Sequence, residues 1–256
     1  MKLHANLLEK SWAVSAVLIL AAGWTPQAAF SAPPEVQIVR ETPEVVFAPP
    51  GFDSNDHVQV ILNGTFINTC HKLGPARAEV VPGSKSVRVT QESYVTDSPF
   101  CLQVLVPYTS VVDVGLLPAG NYSVEVAGES QNADFGTLSI APALDSSLMG
   151  PDDKLYALVE EVLYDGQVMT VKGKLPAACA KLKEIQVLTR KKNIVEVLPL
   201  VETIRPIESE DCATVLIPFE KKVALNLPWT GSTLFHVRSL NGQSLNKVVQ
   251  IRAARR

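Results

Sequence analysis

Two windows of this chain repeat one another. CLQVLVPYTSVVDVGLLPAG, from Cys101 to Gly120, aligns without a gap on CATVLIPFEKKVALNLPWTG, from Cys212 to Gly231. The windows are identical at seven positions: the Cys, Val104/Val215, Leu105/Leu216, Pro107/Pro218, Val112/Val223, Leu116/Leu227 and the Gly. Average residue usage gives roughly one match by chance. Val106/Ile217, Tyr108/Phe219 and Val114/Leu225 are like-for-like changes. The likeness reaches upstream. Gly64 precedes Cys70, and Gly173 precedes Cys179, by the same spacing; CHKL at 70–73 answers CAKL at 179–182, and VRV at 87–89 answers VEV at 195–197. A period of about 100 residues is domain-sized, whereas solenoid repeats run about 20 to 50. The chain therefore reads as two tandem domains.

The cysteines sharpen this reading. Cys70, Cys101, Cys179 and Cys212 allow three pairings. A unit duplicated with its own two cysteines predicts Cys70–Cys101 and Cys179–Cys212. Each closed loop adds roughly 3 to 4 kcal/mol in a chain-entropy model. Zinc sites use closely spaced pairs such as C-x2-C, and none occurs here.

Short apolar runs broken by Pro and Gly predict an all-β fold, two tandem β-sandwich domains after an N-terminal targeting segment. The boundaries read 1–31 signal peptide, 32–50 Pro-rich extended leader with an edge strand, 51–141 first sandwich, 142–154 linker, 155–251 second sandwich and 252–256 basic tail. Val87 and Val89 alternate with Arg88 and Thr90, the period of a strand with one wet face. Asn63-Gly64 reads as a turn, and Asp165-Gly166 as a hairpin that makes LYALVEEVLY a strand. The runs Val104–Val106 and Val215–Ile217 predict central strands buried on both faces, ending or bulging at Pro107 and Pro218.

Lys2 and Lys10 give a weakly positive n-region ahead of an apolar run, Trp12 to Trp24, and Ala29 and Ser31 suit cleavage after Ser31. The run is shorter than the roughly twenty residues of a membrane span. Export to a periplasmic or secreted location follows, with no integral span after signal removal, and an oxidising compartment favours disulfides. A net charge of −3 gives no basic footprint for nucleic acid.

LPAGNYSVEV places a Leu, a Gly and then Tyr122 entering a strand. This resembles the tyrosine corner of immunoglobulin-like and fibronectin type III-like domains of exported, bacterial-type proteins. The resemblance implies a Tyr122 hydroxyl bonded to backbone near Leu117–Gly120. Thr233 stands in that place in the second unit, and the cysteine spacing departs from the immunoglobulin pattern. GKLPAAC and IPFE are also similar to small exported modules to which no activity attaches.

No catalytic motif is present. His57, His71 and His236 form no H-x-x-H pair, and no G-x-S-x-G or S-x-x-K occurs. The carboxylates Asp152/Asp153 and Glu208/Glu210/Asp211 fall in linker or turn positions. The expectation is a non-enzymatic binding protein without cofactor or metal. Its partner would be another protein or an envelope polymer, met on end loops. The candidate loops are Gly51–Asp56 (with Asp53 and Asn55), Asp97–Phe100, Arg190–Asn193 (with Arg190, Lys191 and Lys192) and Ile207–Asp211, with Trp229 as a possible aromatic anchor or core residue. An extracellular protease inhibitor and a structural spacer of an envelope assembly are the alternatives. The sequons at Asn63 and Asn121 each sit where a backbone reason already exists for Asn.

Overall fold

The computed structural model describes residues 35–129, 135–144, 152–204, 207 and 212–252, all in one compact unit, Pro34–Arg256. The segment expected to be a signal peptide, most of the expected linker and most of the basic tail lie outside the described residues. The described residues form strands and no helix. The first half holds β1 (Val36–Glu41), β2 (Val45–Phe47), β3 (Phe52–Asp53), β4 (Val58–Phe66), β5 (His71–Val80), β6 (Ser86–Thr96), β7 (Val106–Gly115), β8 (Gly120–Val126) and β9 (Thr137–Ala141). The second holds β10 (Leu158–Tyr164), β11 (Val168–Leu175), β12 (Ala180–Lys191), β13 (Ile194–Thr203), β14 (Ile217–Ala224), β15 (Gly231–Ser239) and β16 (Gln243–Ile251).

Each half is a sandwich of the same plan. A sheet β2-β4-β7 faces a sheet containing β5-β6-β8-β9; a sheet β10-β11-β14 faces β12-β13-β15-β16. Both halves share one parallel pair, β6 with β8, where Val87 meets Val124, and β13 with β15, where Val195 meets Phe235; the first half adds a second, the short β3 with β9. Immunoglobulin sheets are antiparallel throughout, so the strand order here is a different solution to the same two-layer problem. Val87 and Val89 point inward and are fully buried against Val60, Leu62 and Leu138. Their counterparts Val195 and Val197 pack with Met169, Val171 and Phe235.

The Asp165-Gly166 hairpin is present. Asp165 Oδ1 accepts from the Gln167 and Val168 amides at 2.9 and 2.8 Å, and these bonds hold its carboxyl below the usual range. Asn63-Gly64 is not a turn: β4 runs straight through it. Gly64 pairs across the ladder with Tyr108, whose ring fills the space where a Cβ would stand, 2.6 Å from the hydroxyl. Gly173 pairs in the same way with Phe219. Glycine in a strand marks this close approach of a neighbour, and the duplication preserves both members of the pair.

Both disulfides join the expected partners, Cys70–Cys101 and Cys179–Cys212. The backbone around them matches bond for bond. The Thr69 amide donates to Leu102 O as the Ala178 amide does to Ala213 O; Thr96 donates to Cys70 O as Ile204 does to Cys179 O; Val104 donates to Leu102 O as Val215 does to Ala213 O. The residues after Cys101 and Cys212 are not buried strands, contrary to their apolar character. Strand begins only at Val106 and Ile217, and Val104, Leu105, Val215 and Leu216 are half-exposed or more. The bridge and the backbone bonds beside it hold this segment outside the strand ladders. Pro107 and Pro218 therefore start strands β7 and β14 at the outside of three-stranded sheets, where a missing amide donor is tolerated.

The Tyr122 hydroxyl donates to Pro118 O at 3.0 Å, the expected corner. In the second half Thr233 Oγ1 donates to Gly231 O at 3.3 Å and accepts from Trp229 Nε1 at 3.0 Å. Trp229 is thus half-buried against the second core, fastening the turn that Tyr122 fastens in the first.

Candidate functional site

The first copy has a long connection between β2 and β4, residues 48–57, where the second has the tight turn 165–167. That connection packs on the outer face of β13-β15-β16. The face is set by register: Ile194, Leu234 and Val248 share one row, Glu196, His236 and Asn246 the next, and Arg238 and Ser244 the third. Phe47 and Ile61 of the first sandwich cover Ile194 and Leu234. Burying such side chains contributes about 1.5 to 3 kcal/mol each.

Beside this apolar row lies a buried ionic bridge. Arg238 donates to Asp56 Oδ1 at 2.5 Å and to Asp152 Oδ1 at 2.9 Å, joining the first sandwich, the linker and the second sandwich. Asp152 Oδ2 accepts from the Gly242 amide at 2.6 Å, and Asp56 Oδ2 from the Asp53 amide at 3.0 Å. The guanidinium sits 5.5 Å from the Phe52 ring and 5.8 Å from that of Tyr156. Burial pushes both aspartates above the usual carboxylate range, with Arg238 pulling the other way. Burial works against the Arg238 charge, yet the carboxylates outweigh it and hold the group more basic than usual.

His236 is 1% exposed. Its Nδ1 lies 2.7 Å from Asn246 Oδ1 and its ring meets Phe52 edge-on at 5.5 Å. Asn246 Nδ2 and Ser244 Oγ donate to Gln59 Oε1 of the first sandwich at 3.0 and 2.6 Å. Because Asn246 Oδ1 is an acceptor, Nδ1 carries the proton, and burial favours the neutral ring. Burial lowers its pKa to about 4.

Two of the loops expected to meet a partner thus meet each other's sandwich. Asp53 lies in β3, and its Oδ1 accepts from the Asn55 amide at 3.1 Å within the packed connection. Lys191 donates to Ala48 O at 3.0 Å and to Thr137 O, and Arg190 Nε lies 3.6 Å from Glu196 Oε2. Lys192 is exposed at the hairpin tip. Of Ile207–Asp211 only Ile207 is among the described residues, packed near Cys212.

The remaining loop, Asp97–Phe100, lies on the surface at the opposite end of the first sandwich. Phe100 is 86% exposed, Leu105 74%, and Ile67 and Leu102 65% each. They belong to two segments tied to one another: Cys70–Cys101 bridges them, Thr69 and Leu102 exchange hydrogen bonds, and Ile67 and Leu105 each adjoin the Phe66–Val106 pair that ends the β4–β7 ladder. The second sandwich repeats a smaller version in Ile204, Val215 and Leu216.

The histidines form no nucleophile pair among the described residues. His57 is exposed, 3.9 Å from Asp113. His71 Nδ1 lies 3.1 Å from Glu41 Oε1, which also accepts from Ser93 Oγ at 2.5 Å. The carboxylate stands between serine and histidine, so the imidazole cannot take the hydroxyl proton. Sequence reasoning placed Asp56 in a partner-binding loop, read Asp152 as a linker carboxylate and missed Glu196 and Arg238; the one visible signal was GFDSND, which interrupts the first copy where the second has no counterpart.

No curated protein and no solved structure matches the chain. The model of one family matches twice, over residues 60–136 and 169–251, once in each sandwich. By these two segments, which cover more than half of its length, the chain belongs to the ORF11 beta-sandwich domain family.

Proposed function

We propose that the chain is an exported, non-enzymatic binding protein, periplasmic or secreted, that holds another protein or an envelope polymer through the apolar end of its first sandwich. The observation that carries this reading is the row Ile67, Phe100, Leu102 and Leu105, four large side chains left in water next to a disulfide. Exposed apolar groups gathered in one place mark interaction sites on soluble proteins, and the bridge lowers the entropy lost when such a segment is fixed by a partner. Use of a sandwich end rather than a cleft also follows the habit of immunoglobulin-like modules, which the tyrosine corner resembles. The paired cysteines suit an oxidising compartment.

A second reading rests on the same segment. A stapled, protruding loop with Phe100 at its tip is the shape by which a protease inhibitor fills a cleft. One pair of experiments separates the readings. Capture from envelope extracts by the wild-type protein should fall at least tenfold in Phe100→Ser/Leu105→Asp, with thermal melting unchanged. Capture unaffected by the substitutions would refute the assignment of this end, and no capture at all would leave a structural spacer. Inhibition across a panel of extracellular proteases at micromolar protein would select the inhibitor reading.

A further inference from the structure

A second site lies where the two sandwiches meet, independent of the apolar end. Gly51, Asp53, Asp56, Tyr156, Arg190 and Glu196 are among the walls of a cleft of about 210 Å³. Glu196 is 3% exposed, and its Oε2 accepts no hydrogen bond. Its ion-pair partner Arg190 stands at 3.6 Å, outside hydrogen-bond range, with a side chain 55% exposed. Gly51 lies directly against the carboxylate, so close that a Cβ there would fall 2.3 Å from Glu196 Oε1. At φ +89° the Gly51 backbone is also one that other residues rarely adopt. A buried carboxylate is costly unless paired and hydrogen-bonded, and a guanidinium satisfies both oxygens at once through parallel N–H donors.

We propose that this cleft binds a guanidinium group from outside the chain, with Glu196 as the acceptor and Arg190 as a tethered competitor that occupies the entrance when no ligand is present. The other walls fit the role. Asp53, Asp56 and Asp153 put negative charge on the walls beside the cations Lys154 and Arg238, of which Arg238 is paired with Asp56, and the Tyr156 ring already faces that guanidinium. Burial raises the Glu196 pKa, with Arg190, Arg238 and Lys191 opposing it, so the carboxyl stays above its usual range despite three nearby cations.

The test is a titration of the isotope-labelled full chain with N-acetylarginine methylamide, followed by the amide resonances of Gly51 and Glu196. Saturable shifts are expected in the wild type and none with the uncharged N-acetylcitrulline methylamide. Removing the competitor in Arg190→Ala should tighten binding at least threefold, and Glu196→Gln should weaken it at least tenfold. Absence of saturable shifts, an equal response to the citrulline compound, or weaker binding in Arg190→Ala would overturn the proposal. Arg190 is on the surface, so that variant decides the matter even if Glu196→Gln does not fold.

Discussion

Strands β8 and β15 hold the same place in their two sandwiches and have opposite surroundings. In β8, Tyr122, Val124 and Val126 are buried and the residues between them are not. In β15 every residue from Thr233 to Ser239 is buried. The difference lies in what covers the outer face. Arg88 and Glu125 pair across β6 and β8 at 3.1 Å in contact with water. Glu196 and His236 occupy the matching cross-strand positions of β13 and β15 and lie under the first sandwich. One duplicated scaffold thus became a receptor and the other a plug. The plug gained residues 48–57, and the receptor gained a buried arginine and a neutral histidine. A tandem repeat of this kind is joined by divergence at matched faces, and its linker contributes Asp152 rather than slack.

Removing the receptor's arginine should break the comparison most severely. Arg238→Ala leaves Asp56 and Asp152 buried without a counter-charge, which costs about 3 to 5 kcal/mol. Urea denaturation should then resolve two transitions, one per sandwich, where the wild type gives one.

Acid should act next, and on the junction first. His236 has a folded pKa lowered from 6.5 to about 4. Its neutral form is favoured by folding, so the stability it contributes is complete above pH 6.5 and falls as the pH drops toward 4, by roughly 3 kcal/mol at most. Asp56 and Asp152, raised by burial, work in the opposite sense as they take up protons. The wild type should therefore lose stability between pH 6.5 and 4 more steeply than His236→Gln, measured by denaturant melts across that range. Equal slopes would show that the imidazole is solvated.

The smallest effect should erase a difference between the copies. Tyr108 and Phe219 are matched, but the Tyr108 hydroxyl is buried without a hydrogen bond, and burial, with Glu41 and Glu44 nearby, pushes its pKa up to about 12. Tyr108→Phe gives the first sandwich the second one's ring and should be neutral or stabilising by up to ~1 kcal/mol in thermal melts. A loss of more than that would reveal a partner for the hydroxyl.

Local chemistry made much of this fold legible. Alternation at Val87 and Val89, turn residues at Asp165-Gly166, and one cysteine pair per repeat each constrain a neighbourhood that the chain itself supplies. Tyr122 named its own acceptor to within a few residues. Legibility ended where a residue's environment comes from the far side of the molecule. Leu105 and Leu216 look like core because apolar runs usually are, yet a disulfide and the backbone bonds beside it hold them outside the strand ladders. Gly64 looks like a turn until Tyr108 is known to lie over it. Asp56 and Arg238 are 182 residues apart, and no spacing rule links them. The loops at Gly51–Asp56 and Arg190–Asn193 have the polar composition of free surface, and only docking shows that they close a junction.

Each sulfur bridge encircles a single hairpin, β5–β6 or β12–β13, with cysteines 31 and 33 residues apart. Closing a loop costs more entropy the longer it is, so during oxidative maturation the correct partners are also the quickest to find. Crosswise pairing needs a longer search, and each module can complete its own oxidation before its neighbour has emerged or docked.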